Sequence, residues 1–181
     1  MKVTFYNSIP TLPSTWVRCE RGIMVRLRRY KVENTPFFIT TQTYRNQKFF
    51  LNKDRAEIVI DYIYRAKEKM IDFLLAFVVM PEHLHLLIVP KSKYSISQIM
   101  LFIKKGSSRV IHIKENTNGH LWGKRFFDRG IRSEKELVET NQYIHNNPIK
   151  EGLTKERKDY LFSSANSRWT TDLELYFDRV E

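Results

Sequence analysis

Two histidines stand one residue apart in the stretch MPEHLHLLIVP, residues 80–90. Successive side chains of a β-strand point to opposite faces, so His83 and His85 would share one face and Leu84 would take the other. Imidazole is the commonest metal ligand in proteins, so two neighbouring rings on one face can hold a divalent cation. Two ligands make an incomplete shell, and the same spacing also suits two half-exposed polar side chains that bind nothing.

A second pair of residues with chemical potential lies in QYIHNNP, residues 142–148. Tyr143 and Asn147 are four residues apart, which places them on one face of a helix. A protonated tyrosine is a weak nucleophile, but a metal that polarises a phosphate oxygen makes the phosphorus easier to attack. Covalent catalysis by tyrosine is then feasible. From these residues alone, an amphipathic tyrosine and a helix-ending asparagine are the better explanation, since asparagine is common at helix ends.

The charge balance of the chain points to a nucleic-acid partner. Among its 181 residues, 31 are Lys or Arg and 20 are Asp or Glu, which gives a net charge of +11 and a pI of about 9.8. A surplus of this size favours a polyanion, for which nucleic acid is the usual candidate. Hydrophobic residues make up 42% of the chain, which is enough for the core of one folded domain.

Cysteine usage and apolar runs predict the compartment. Cys19 is the one cysteine, so the chain has neither an intrachain disulfide nor a cysteine-based metal cage, as expected in a reducing cytoplasm. We find no apolar run long enough to span a membrane and no apolar segment of signal-peptide type at the N-terminus. We therefore expect a cytoplasmic protein without a membrane partner.

The order of hydrophobic patterns predicts the fold. Strand-like and helix-like segments follow one another as FFITTQTY (strand), DRAEIVIDYIYRAKEKM (helix), DFLLAFVVM and HLHLLIVP (strands), SISQIMLFIKKGSSRVIHIKE (helix), RFFDRGIR (strand) and SEKELVETNQYIHN (helix). This order predicts an α+β fold of the ferredoxin-like split β-α-β type, an antiparallel sheet with helices packed on one face. Ser133 and Glu136 have the form of a capping box, and Pro148 predicts that the last helix ends at about Asn147.

Three motifs together resemble one known family. MPEHLHLLIVP is followed by LWGKRFFDRGIR and then by YIHNNPIKEGL, within a stretch from about Thr35 to Ser164. Their order and spacing resemble those of the REP-associated tyrosine transposases, which are single-tyrosine HUH transposases of the IS200-like family. The resemblance implies an HUH endonuclease domain at residues 35–164, preceded by a basic extension at 1–34 and followed by a tail at 165–181.

The resemblance also implies roles for individual residues. His83 and His85 would be the imidazole metal ligands of the HUH motif, and Tyr143 the nucleophile that forms a 5′-phosphotyrosine link and frees a 3′ hydroxyl. Asn147 matches the third metal ligand, where many insertion-sequence relatives carry glutamine. His145 is an alternative ligand, although its helical phase turns it about 160° from Asn147.

Cofactor and partners follow from the same resemblance. Mg²⁺ or Mn²⁺ suits a site of neutral ligands that acts on phosphate, while imidazoles would equally permit zinc. The implied substrate is single-stranded or hairpin DNA, and the protein would join the nucleoid when bound to it. Insertion-sequence relatives work as dimers and the REP-associated branch resembles a monomer, so both states stay open.

Basic side chains near these motifs are candidates for DNA phosphate contacts, which position DNA without specifying its sequence. They are Lys104, Lys105, Arg109, Arg125 and Arg129. For the two lysines and Arg109, a solvated helix face is an equally good explanation. The arginine-rich segment Arg18 to Arg29 suits either a grip on the foot of a hairpin or a disordered basic arm.

Aromatic side chains are candidates for stacking on unpaired bases. Trp122, Phe126 and Phe127 lie in the middle motif. Strand alternation puts Phe126 and Phe127 on opposite faces, so at least one of the three is expected in the core.

Two other functions compete with strand cleavage. A four-stranded sheet with aromatics and basic flanks suits a non-catalytic module of RRM-like fold that binds single-stranded nucleic acid. A different metallo-hydrolase would need an acidic group beside the histidines. Glu82 is the acidic residue next to them in sequence, but alternation would point it to the opposite face if the strand included it.

Overall fold

The computed structural model describes residues 16–18, 24–26 and 35–180. The chain forms two units, residues 1–32 and 33–181. In the first unit, the strands Trp16–Arg18 (β1) and Met24–Arg26 (β2) pair in antiparallel fashion. The other residues of the basic extension predicted at 1–34, including most of its arginine-rich segment, lie outside the described residues.

In the second unit, one sheet is built from strands that pair only with antiparallel neighbours. Its strands are Phe37–Gln42 (β3), Ile71–Val79 (β4), His83–Pro90 (β5) and Phe127–Gly130 (β6). The helices of this unit are Lys53–Met70 (α1), Ile96–Glu115 (α2), Glu134–Lys150 (α3) and Leu173–Val180 (α4). The strand order is β4-β5-β3-β6, so each of the crossovers through α1 and α2 skips one strand. The predicted α+β fold with a ferredoxin-like split β-α-β plan is therefore confirmed.

The two faces of the sheet are covered by different helices. Leu84, Leu86 and Ile88 of β5 face the core that contains α1 and α2, which form the predicted layer on one side. The alternate residues Leu87 and Val89 face a second core, which contains residues of α3 and α4. The opposite face is therefore partly covered as well, because α3 and α4 also carry apolar side chains that must be buried.

Helix α3 begins as predicted but extends further. The Ser133 side chain accepts a hydrogen bond from the backbone N–H of Glu136 at 3.2 Å, which caps the helix. The predicted end at Asn147 is wrong, since the helix continues through Pro148 to Lys150. Proline in the last turn removes only one backbone donor, and its ring is buried, so the helix tolerates it there.

The segment after residue 164 packs on the same sheet. The Asp172 carboxylate accepts a hydrogen bond from the Leu74 backbone N–H at 2.7 Å, and the Tyr176 ring packs edge-on against Phe73. Residues 165–180 thus contribute to the second core, while the boundaries of the three predicted domains stay predictions. None of the described helices is long and apolar enough to cross a bilayer.

Candidate active site

Strand β5 brings both histidines to the face that α3 partly covers. A turn at residues 80–82 joins β4 to β5, and it is closed by a hydrogen bond from the Met80 N–H to the His83 carbonyl at 2.8 Å. The ring centroids of His83 and His85 are 4.6 Å apart. His85 is 4% exposed, whereas the His83 side chain is 15% exposed. Strand alternation therefore puts two imidazoles side by side at the edge of a buried region.

Each imidazole is held through its Nδ1 atom. The Thr40 hydroxyl lies 2.7 Å from His85 Nδ1, because Thr40 is directly opposite His85 in the pairing of β3 with β5. The Glu82 carboxylate lies 3.0 Å from His83 Nδ1. Glu82 reaches the ring because β5 begins at His83, so strand alternation does not apply to Glu82. Both contacts occupy Nδ1, which leaves the two Nε2 atoms as the nitrogens available to a ligand.

Burial keeps His85 neutral. It lowers the pKa of His85 to about 3, and the nearby His83 adds to this effect when it is charged. A neutral imidazole is the form that binds metal ions. His85 thus has the protonation state of a metal ligand at neutral pH.

Tyr143 lies over the histidines from α3. Its ring centroid is 5.4 Å from that of His85 and 6.0 Å from that of Phe38, both in edge-on geometry. The Lys150 ammonium lies 4.9 Å from the centroid of the same ring. Tyr143 is nevertheless 42% exposed, so a large substrate has access to it. An exposed phenol ring therefore sits in contact with one imidazole and beneath one cation.

Asn147, the predicted third ligand, lies on the same helix as Tyr143. It is 6% exposed, and within residues 35–180 its side chain makes no hydrogen bond. Within this part of the chain, the amide is therefore free to contact a bound group. In the same described residues, no three His, Cys, Asp or Glu side chains are arranged as a metal site. A metal at the histidines would thus need a ligand of another type, and Asn147 lies one helical turn beyond Tyr143.

Two residues near the site, His145 and Tyr160, form hydrogen bonds with other parts of the chain. His145 Nε2 lies 2.9 Å from the Ser164 hydroxyl, and Ser164 accepts a hydrogen bond from the Phe77 N–H, so His145 links α3 to β4. This engagement does not support His145 as the alternative metal ligand. The Tyr160 hydroxyl donates to the Val79 carbonyl at 2.9 Å, and burial raises the Tyr160 pKa, which keeps this phenol protonated.

The basic residues predicted to contact DNA differ in their environments. Lys105, Arg109 and Arg125 are exposed. The Lys104 ammonium donates to the Gly123 carbonyl at 2.7 Å, and burial lowers the Lys104 pKa. Arg129 is ion-paired with Glu136, so a free phosphate contact is not supported for Lys104 or Arg129.

The aromatic residues of the middle motif separate into core and surface. Trp122 is 7% exposed, and its indole N–H donates to the Ser107 hydroxyl at 3.1 Å, so base stacking by Trp122 is not supported. Phe126 packs against the core on the α1 and α2 side. Phe127 is 42% exposed. Trp122 also lines a cavity of about 360 Å³, together with Lys104 and Lys105 of α2 and residues 119–121 of the loop that follows α2.

The sequence of the chain is similar to those of one family of known proteins. Residues 34–147 match the family model described as "Transposase IS200 like". The chain is 28% identical to a REP-associated tyrosine transposase of Escherichia coli (strain K12) over 142 residues. This alignment covers 78% of this chain and 82% of that protein. It is 27% identical over 99 residues to a provisionally named REP-associated tyrosine transposase of Haemophilus influenzae, covering 49% and 56%.

The fold is similar to that of a solved structure. The structure of a REP-associated tyrosine transposase bound to a REP hairpin matches with a TM-score of 0.64 and 26% identity, over 78% of this chain and 82% of that one. The matched stretch of the family model contains His83, His85, Tyr143 and Asn147. The chain therefore belongs to the IS200-like transposases, enzymes that cut and rejoin DNA, and within that family it is similar to the REP-associated tyrosine transposases.

Proposed function

We propose that this protein is a metal-dependent endonuclease and strand transferase that cuts single-stranded DNA beside a hairpin and stays joined to it through a 5′-phosphotyrosine. One observation carries the proposal: the exposed ring of Tyr143 contacts His85, whose own ring lies 4.6 Å from that of His83. Family membership and the hairpin-bound relative support the reaction and its substrate. Binding without cleavage would instead favour the RRM-like module.

The residues at the site fit a divalent metal. Two Nε2 atoms are available because Thr40 and Glu82 engage the Nδ1 atoms, and the Asn147 amide has no partner among residues 35–180. All three donors are neutral, so they would leave the charge of Mg²⁺ or Mn²⁺ undiminished for a phosphate oxygen. When bound, the ion would polarise the phosphate and offset the charge that develops on it.

The covalent step belongs to Tyr143. Its hydroxyl oxygen attacks the phosphorus and loses its proton, a phosphotyrosine bond forms, and the bond to the 3′ oxygen of the preceding nucleotide breaks. That oxygen takes up a proton and leaves as a free 3′ hydroxyl. The phosphotyrosine bond conserves the energy of the phosphodiester, so attack by a 3′ hydroxyl reverses the step and rejoins DNA without ATP.

The protein should prefer hairpin DNA with single-stranded flanks over blunt duplex, and should cut only the former in Mg²⁺ or Mn²⁺. The net charge of +11 makes phosphate contacts the main source of affinity, with exposed Lys105, Arg109 and Arg125 as proposed contributors. Affinity should therefore fall steeply with salt. Titration of labelled oligonucleotides across a salt series, followed by a cleavage assay, tests this. Salt-independent binding or preferential cutting of blunt duplex would contradict the proposal.

Glu82→Gln and Thr40→Val should each weaken Mn²⁺ binding by about 10- to 100-fold, the usual effect of removing a group that orients a metal-bound histidine. The Glu82 carboxylate requires a proton on His83 Nδ1 and thereby presents a lone pair at Nε2. Thr40→Ser keeps the hydroxyl and is the matched control, with near-normal affinity expected. Calorimetric titration with Mn²⁺ measures this without DNA. Unchanged Mn²⁺ affinity in both variants would contradict the orienting role.

A further inference from the structure

Phe127 lies on the same face of the sheet as the candidate metal ligands. Thr40 on β3 is paired with His85 on one side and with Phe127 on the other, so the three residues form a row across three strands. Residues opposite one another in a sheet point to the same face. With neighbouring strands about 4.8 Å apart, the backbone of Phe127 is about 10 Å from that of His85.

The exposure of Phe127 is unusual for this face. Phe38 belongs to the next row and is 8% exposed, because the Tyr143 ring and the Arg129 guanidinium cover it. Phe127 is 42% exposed, and within residues 35–180 its ring has no aromatic or cationic partner. It also lies on the edge strand of the sheet, where exposed apolar side chains are usually avoided.

The proposed reaction at Tyr143 indicates what kind of ligand can lie over the Phe127 ring. If the proposed function holds, the cut strand crosses the face that carries His85, and the nucleotides next to the scissile phosphate are unpaired. Every unpaired base, whatever the sequence, offers a flat apolar surface on which aromatic side chains stack. Trp122 is buried and Phe126 is half-buried against the core, which makes Phe127 the most exposed aromatic ring of the middle motif.

We propose that Phe127 is a stacking site for an unpaired nucleobase of the cut strand, adjacent to the scissile phosphate. This inference rests on the proposed function, because the stacked base would belong to the DNA strand that Tyr143 cuts. The exposed Arg125 lies two residues earlier in the chain, and its backbone is fixed beside β3 by a hydrogen bond from the Thr41 hydroxyl to its carbonyl. An exposed cation two residues from Phe127 favours a nucleotide over an uncharged apolar partner.

The test uses a labelled REP-type hairpin with single-stranded flanks and the matched blunt duplex. Phe127→Leu keeps an apolar side chain but removes the flat ring, and should weaken binding of the flanked hairpin about tenfold. Affinity for the blunt duplex should be unchanged. Phe127→Trp should restore affinity for the flanked hairpin, and Leu175→Ala, which removes an exposed apolar side chain on α4, is the control. Circular dichroism checks that each variant is folded.

A second measurement locates the base. The flank carries 5-iodouracil at one position at a time, and irradiation should crosslink Phe127 when the iodouracil is next to the cut. Equal affinity of wild type and Phe127→Leu for the flanked hairpin would overturn the stacking site, as would equal losses for hairpin and duplex. These results differ from failure of the proposed function, in which the wild-type protein itself neither binds nor cuts the flanked hairpin.

Discussion

Tyr143→Phe is expected to abolish cleavage of hairpin DNA and the covalent protein–DNA product, while fold and DNA affinity hardly change. The substitution removes one oxygen from a ring that is 42% exposed, so packing against His85 and Phe38 is retained. Loss of the nucleophile should lower the rate by at least about 10⁴-fold. A denaturing gel of end-labelled DNA should show a protein-linked band for the wild-type protein, on only one cleavage product.

Tyr160→Phe is the matched control for this experiment. Tyr160 lies near the turn that precedes the histidines, and its hydroxyl donates to the Val79 carbonyl. Because burial raises its pKa, the Tyr160 phenol is a poor nucleophile, and its variant should still form the covalent product. A covalent band that persists in Tyr143→Phe and disappears in Tyr160→Phe would reverse the assignment of the nucleophile.

His85→Ala is expected to lower the cleavage rate by about 10³-fold or more while most DNA affinity remains. A bound metal contributes several kcal/mol to a phosphoryl-transfer transition state, and each 1.4 kcal/mol corresponds to a factor of ten. Mn²⁺ affinity, measured by calorimetry, should fall in parallel. His83→Ala should act in the same way with less cost in stability, since the His83 side chain is the more exposed of the two.

His112→Ala provides the control for the loss of an imidazole. His112 lies in the last turn of α2, and its ring contacts the Thr117 hydroxyl at 3.0 Å. The variant should cut DNA and bind Mn²⁺ as the wild type does. Normal cleavage by His85→Ala in Mg²⁺ or Mn²⁺ would show that the two histidines do not form the metal site.

Local spacing predicted the parts of the site that depend on one element. Alternation in β5 put His83 and His85 on one face, and the interval of four residues in α3 related Tyr143 to Asn147. The strand and helix order was enough to predict the sheet plan. These inferences succeed because the periods of strands and helices are fixed by backbone geometry.

Contacts between distant elements could not be predicted in this way. Thr40 reaches His85 only through the register of β3 with β5, which single-sequence periodicity does not specify. The role of Glu82 depends on the residue at which β5 begins, and strand ends are poorly defined by sequence. The predicted end of α3 failed for a related reason, because the burial of Pro148 is a tertiary effect that outweighs a local preference.

The strand order also bears on when the protein becomes active during its synthesis. Among the strands of the four-stranded sheet, β3 leaves the ribosome first, yet its neighbours β5 and β6 are made at least 40 residues later. The sheet face that carries the histidines is therefore incomplete until β6 has been made, and the proposed nucleophile, Tyr143, follows on α3. A nascent chain has no competent site before about residue 150 has emerged. If Tyr143 is the nucleophile as proposed, a fragment that ends after β5 would retain both histidines but could not cut DNA, because it would lack α3.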